Sequence, residues 1–258
     1  MRAPSSLYCR VKTSMLILLS VMIDLGGNVV KLLQILSNQI TYRGLFIAPI
    51  FSVSADRAKS LSTTLEEFKA FNMKAGDLRY QDTGPIQDQH VAVIFGIGHC
   101  RVAVDRVEAT FSEFTTIQVP EIAKAMEATQ NVARRLAPET KFSVHQLTYY
   151  CHAGVEGSTF KDFVGNLPAP SISAAGESLG TGFCFNWREP RRGWRTKFTI
   201  DCSLAYTDAL FLSFNVDIVG DELKLTSAWP EGERYLQSVL AEFGLRFPEE
   251  ENAANAEK

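Results

Sequence analysis

Residues 194–219 read WRTKFTIDCSLAYTDALFLSFNVDIV, and this stretch decides the fold. From Trp194 the apolar residues fall on every second position: Phe198, Ile200, Cys202, Leu204 and Tyr206, with only Thr196 out of character. The alternate positions hold Arg195, Lys197, Thr199, Asp201 and Ser203. After Thr207-Asp208 the rhythm restarts with Leu210, Leu212, Phe214, Val216 and Ile218, set against Ser213, Asn215 and Asp217. A period of two over consecutive segments predicts adjacent antiparallel strands with one buried and one solvated face.

Outward from this ribbon, strands outnumber helices. Residues 40–53 read as a first strand bent near Gly44 or Pro49. Ser54 or Asp56 caps a helix to about Phe71, with Ala58, Leu61, Leu65 and Phe68 as its apolar stripe. Short strands follow at 77–80 and 91–97, then a turn at Gly98-His99 and one strand over 101–111. Pro120 opens a helix whose stripe runs from Ile122 to Leu136 and which Pro138 ends. Strands are expected at 141–152 and 181–188. Between them lies an irregular stretch, 153–180, pinned by Phe160 and Phe163. Pro230 starts a last helix that Gly244 stops.

This order predicts an α+β fold, a curved and mainly antiparallel sheet with helices packed on one face. Residues 38–247 form the domain. Strand–helix–strands occurs once before residue 115 and once after it, which suggests two similar halves meeting there. Residues 248–258 are acidic, alanine-rich and expected to be disordered. Residues 1–37 read as an apolar extension. The run Met15–Ile23 behind Arg2, Arg10 and Lys12 is like a signal peptide, but lacks a small-residue cleavage site and is too short to span a bilayer. Three readings stay open: a segment docked on the domain, an upstream stretch outside the natural product, and an export signal or membrane anchor through residues 1–27.

The net charge of −3 excludes a wholesale basic nucleic-acid binder but leaves room for a local basic patch. Five scattered cysteines without a Cys-x-x-Cys pair read as thiols of a reducing compartment, hence a cytoplasmic location.

The order at 141–220 resembles a sporadically distributed, uncharacterised bacterial protein family of similar length. The matching text is Leu147-Thr-Tyr-Tyr-Cys-His152, Thr159-Phe-Lys-Asp-Phe163, Leu167-Pro168 and Gly182-Phe-Cys-Phe185. The Val102–Phe111 strand and the Pro120 helix also fit its order. Cys151 or His152 stands where that family commonly has Asn, and its proline-rich strand start is missing here. The resemblance implies the fold and carries over no active-site residue.

Catalytic signals are sparse. His90, His99, His145 and His152 show no metal-binding spacing, and no cofactor motif is present: Gly96-Ile-Gly98 lacks the third glycine and following helix of a dinucleotide site. The enzyme reading pairs Cys151 as nucleophile with His145 or His99 as base, beside Tyr149, in a pocket under the sheet. Against it, a strand cysteine is usually a small buried hydrophobe. The stronger candidate is the hairpin tip at 187–197, with Trp187, Arg188, Arg191, Arg192, Trp194, Arg195 and Lys197. Guanidinium groups beside aromatic rings hold phosphates and stack bases. The plainer reading is a Pro-x-x-Gly turn whose charges guard an exposed edge. With the polar parity of the two long strands, this tip predicts a non-catalytic binding protein for a macromolecular partner, protein or nucleic acid.

Overall fold

The structure is a computed structural model, and it describes residues 30–165, 182–189 and 192–248. The first 29 residues, Arg191 and the tail from residue 249 lie outside the described residues.

The deciding stretch folds as two paired antiparallel strands, β8 (Arg195–Cys202) and β9 (Leu210–Val219). Phe198, Ile200, Leu210, Leu212, Phe214 and Val216 are buried. Thr196, the exception in the apolar row, sits in that row and is buried too. The row ends at Cys202. Leu204 and Tyr206, expected inside, lie in the connection between the strands and are exposed.

The remaining strands are β1 (Lys31–Phe46), β2 (Leu78–Gln81), β3 (His90–Phe95), β4 (Gly98–Ala103), β5 (Arg106–Ser112), β6 (Phe142–Val155), β7 (Phe183–Arg188) and β10 (Leu245–Arg246). One open, curved sheet runs β2-β3-β4-β5-β1-β6-β9-β8-β7, antiparallel throughout, and β10 adds in parallel to the start of β1. β1 and β6 pair at the centre. Outward from each, a long strand is followed by a meander running back toward it.

The helices are α1 (Ser52–Ala55), α2 (Arg57–Glu67), α3 (Val119–Leu136), α4 (Phe160–Gly165) and α5 (Leu225–Glu242). They share one face of the sheet, fitting α+β. On α3, Ile122, Ala125, Met126, Val132, Ala133 and Leu136 are buried against Val107, Ala109 and Phe111. The α5 residues Leu236 and Leu240 cover Phe198, Leu212 and Phe214.

Several expectations need correction. β1 begins at Lys31, so residues 31–37 belong to the sheet and are no extension. A register shift between Ile35 and Ser37 explains why the alternation was hidden. Before it, Leu33 and Ile35 share the helix-side parity; after it, Ile40 and Tyr42 do. Asn38 then mimics a backbone pair, donating from Nδ2 to Phe114 O (2.8 Å) and accepting from Phe114 N (3.0 Å). The expected strand 101–111 is two strands with a turn at Val104-Asp105, and Gly98-His99 is inside β4. On α2, Ala58 is exposed, and Ser60, Thr63 and Thr64 form the buried side. Asp56 caps this helix through Lys59 N (2.9 Å). The last helix starts five residues before Pro230. Thr226 N and Oγ1 both donate to Glu127 Oε1 of α3 (2.8 Å each), and Leu225 is fully buried. That anchorage outweighs the one helical hydrogen bond a proline removes.

The centre of the core is polar. Gln130 donates to Tyr42 Oη (2.7 Å), and Tyr42 Oη is hydrogen-bonded to His145 Nδ1 (2.8 Å). His145 Nε2 donates to Asp221 O (3.3 Å), since a carbonyl only accepts, and burial favours the neutral imidazole. Burial pushes the Tyr42 hydroxyl up and the His145 imidazole down from their ordinary pKa values. Gly44 is required beside them, because a Cβ there would lie 2.6 Å from Tyr42 Oη and 2.8 Å from Phe142.

Candidate functional site

No described helix covers the second face of the sheet, and its residues are set by register. One transverse row crosses nine strands: Arg79, Ala92, Arg101, Glu108, Arg43, Gln146, Asp217, Arg195 and Arg188, each the pairing partner of the next. At roughly 4.8 Å between strands the row is about 38 Å long. Five arginines face one glutamate and one aspartate along it, in a chain whose net charge is −3.

The few carboxylates are shared. Glu108 accepts from Arg101 Nη2 (2.6 Å), Arg106 Nε (3.2 Å) and Arg43 Nη2 (3.4 Å). Burial pushes its carboxyl upward, but these guanidinium groups overcome that and hold it down at about 2. Asp217 accepts from Gln146 Nε2 (3.1 Å). Arg188, Arg195 and Lys197 make no ion pair among the described residues. The buried Nε of Arg43 has no hydrogen-bond partner.

Four to six residues along β6 from this row, roughly 13–20 Å away, the same face turns aromatic. Tyr150 stacks on Phe211 (centroids 6.0 Å, planes at 17°), and His152 packs against Phe211 (5.2 Å) and Tyr206 (5.4 Å). His152 Nδ1 is hydrogen-bonded to Ser203 Oγ (2.8 Å). These rings were missed in the sequence, although Tyr150 and Phe211 stand conspicuously at polar-parity positions of their strands.

The hairpin tip is divided between the two faces. Trp187 donates its indole N–H to Tyr235 of α5, and Trp194 is buried. Arg192 lies over the Trp194 ring (5.0 Å) and pairs with Glu231 (2.9 Å). These three hold the hairpin to the helix side and present no stacking platform. Arg188, Arg195 and Lys197 point by parity to the open face. Arg191 lies outside the described residues.

Cys151 and His145 share the helix-side face of β6 but are six residues apart and do not meet. His145 is committed to Tyr42 and Asp221. His99 lies on the open face, opposite in parity to Cys151. Burial pushes the Cys151 thiol up to about 12. A buried, protonated thiol without an imidazole is not a nucleophile. No cluster of three metal-ligating side chains occurs among the described residues. No described helix is long and apolar enough to cross a membrane.

No protein-family model matches the chain, and no curated protein matches it.

Proposed function

We propose that this chain is a non-catalytic binding protein that captures single-stranded nucleic acid on the open face of its sheet. The observation that carries this reading is the transverse row that places five arginines across nine strands against one glutamate and one aspartate. A row of guanidinium groups tracks a phosphate backbone, and unstacked bases find rings at Tyr150, His152 and Phe211. A sheet presenting basic and aromatic side chains on an uncovered face suits strands whose bases are free to splay. The hairpin contributes Arg188, Arg195 and Lys197.

Fluorescence anisotropy with a labelled single-stranded oligonucleotide tests this. The triple variant Arg188→Ala/Arg195→Ala/Lys197→Ala is expected to keep the wild-type fold and bind at least about tenfold more weakly. Its log-affinity against log-salt slope should be shallower by about 2, from roughly 0.7 per cation for single strands. Wild-type protein that ignores the oligonucleotide at low salt, or a triple variant with an unchanged slope, overturns the reading. Tighter binding to polyglutamate than to the oligonucleotide moves the partner to an acidic protein.

A further inference from the structure

On the helix side, a cleft of about 660 Å³ opens between α5, the start of α3 and the strands β6 and β9. Its volume lies inside the range of small-molecule sites, roughly 300–1,000 Å³. Phe114, Tyr149, Trp194, Trp229 and Phe247 are among its walls, with Tyr149 edge-on to Phe114 (6.4 Å, 73°) and Phe247 (6.0 Å, 80°). The charged residues of the lining are one acid and one base, Glu233 and Arg246, both exposed, so the cleft carries no net charge. Neither Cys151 nor His145 lines it.

Gly232 forms part of the α5 wall. Glycine inside a helix costs roughly 0.5–1 kcal/mol relative to alanine. No packing contact among the described residues explains it here, because a Cβ at Gly232 would meet none of their atoms within 4 Å. Close approach of a ligand to helix backbone is one of the uses that requires glycine. The polar handle is Tyr149. Burial pushes its hydroxyl well above the ordinary tyrosine range, so it stays a donor, and its neighbour two residues along the strand is the Cys151 sulfur. Sulfur is a weak acceptor that a carbonyl oxygen readily replaces.

We infer that this aromatic cleft binds a flat, uncharged, largely apolar small molecule that lies across Gly232 and accepts a hydrogen bond from Tyr149. The site is on the opposite face from the arginine row, so its fate is independent of nucleic-acid binding.

The probe is prodan, a neutral planar naphthalene ketone whose emission reports polarity and hydrogen bonding. The full chain should bind it saturably, one per chain, with blue-shifted emission and quenching of tryptophan. Gly232→Leu fills the cleft and should weaken binding at least about tenfold, the scale of one lost apolar contact set. Gly232→Ala should gain roughly 0.5–1 kcal/mol of stability in urea melts and weaken binding, though less than Gly232→Leu does. Tyr149→Phe should retain weaker binding with emission shifted further to the blue. If Gly232→Leu folds poorly, Gln237→Phe at a half-buried wall position provides the second block. Absence of saturable binding by the wild type, or affinity unchanged in the blocked variants, overturns the inference.

Discussion

Replacing Phe198 by alanine is expected to destabilise the protein by about 3–5 kcal/mol, the usual cost of removing a buried phenyl ring. Phe198 is fully buried and packs against Phe214 (6.4 Å) from β9 and Phe243 (5.6 Å) just after α5. Phe185 of β7 pairs with it across the strand. The ring is thus shared by three strands and the end of the covering helix. Urea unfolding followed by circular dichroism should show a lower midpoint with an unchanged slope. Thr199→Ala, one residue on and facing the open side, should change stability by no more than about 0.5 kcal/mol. Equal effects from the two substitutions would contradict the division into a buried and a wet row.

The second large effect concerns Glu108. Glu108→Ala leaves Arg43, Arg101 and Arg106 converging on empty space. The arginine side chains are partly exposed and Arg106 keeps Asp105 (2.7 Å), so the loss sits at the low end of the cost of breaking a buried pair, about 3 kcal/mol. Acid should act on the same group. Its carboxyl ionises near pH 4.5 in the unfolded chain and near about 2 in the folded one. The stability it contributes is therefore complete above pH 4.5 and is lost as pH falls toward 2. With one pH unit worth about 1.4 kcal/mol, this contribution is on the order of 3 kcal/mol. His145 adds to acid sensitivity from higher pH. Its folded-state pKa is depressed, so the unfolded chain takes up a proton first as pH drops below the ordinary histidine value. Unfolding midpoints measured between pH 7 and 3 should fall less in Glu108→Ala than in the wild type. The same variant strengthens the positive potential of the open face and should bind oligonucleotide more tightly.

The fold was legible where alternation runs unbroken. Phe198 to Cys202 and Leu210 to Ile218 announce two strands because their turn interrupts neither phase. The α3 stripe was equally plain, with Pro120 near its start and Leu136 at its end. β1 was half hidden, because the register shift near Leu36 moves the buried row from odd to even positions. The start of α5 was obscured by Pro230, since the contacts to Glu127 that carry the helix past it come from ninety-nine residues away.

The candidate surface was only partly readable for the same reason. Arg188, Arg195 and Lys197 stand close in sequence and drew attention to the hairpin. Arg43, Arg79 and Arg101 join them only when register aligns distant strands. The tryptophans of the tip looked like stacking platforms, yet Trp187 and Trp194 carry the buried parity and pack toward α5. The cleft walls come from residues as far apart as Ile35 and Phe247, a proximity no local pattern encodes.

The open face carries its own reporter. Cys184 is exposed on β7, the pairing partner of Thr199, whereas Cys151 is fully buried on the other side. Alkylation located by peptide mass spectrometry should modify Cys184 well before Cys151, and saturating single-stranded oligonucleotide should slow the Cys184 reaction several-fold. Reaction at Cys184 that proceeds at the same rate with the oligonucleotide bound, or modification of Cys151 ahead of it, would contradict the account.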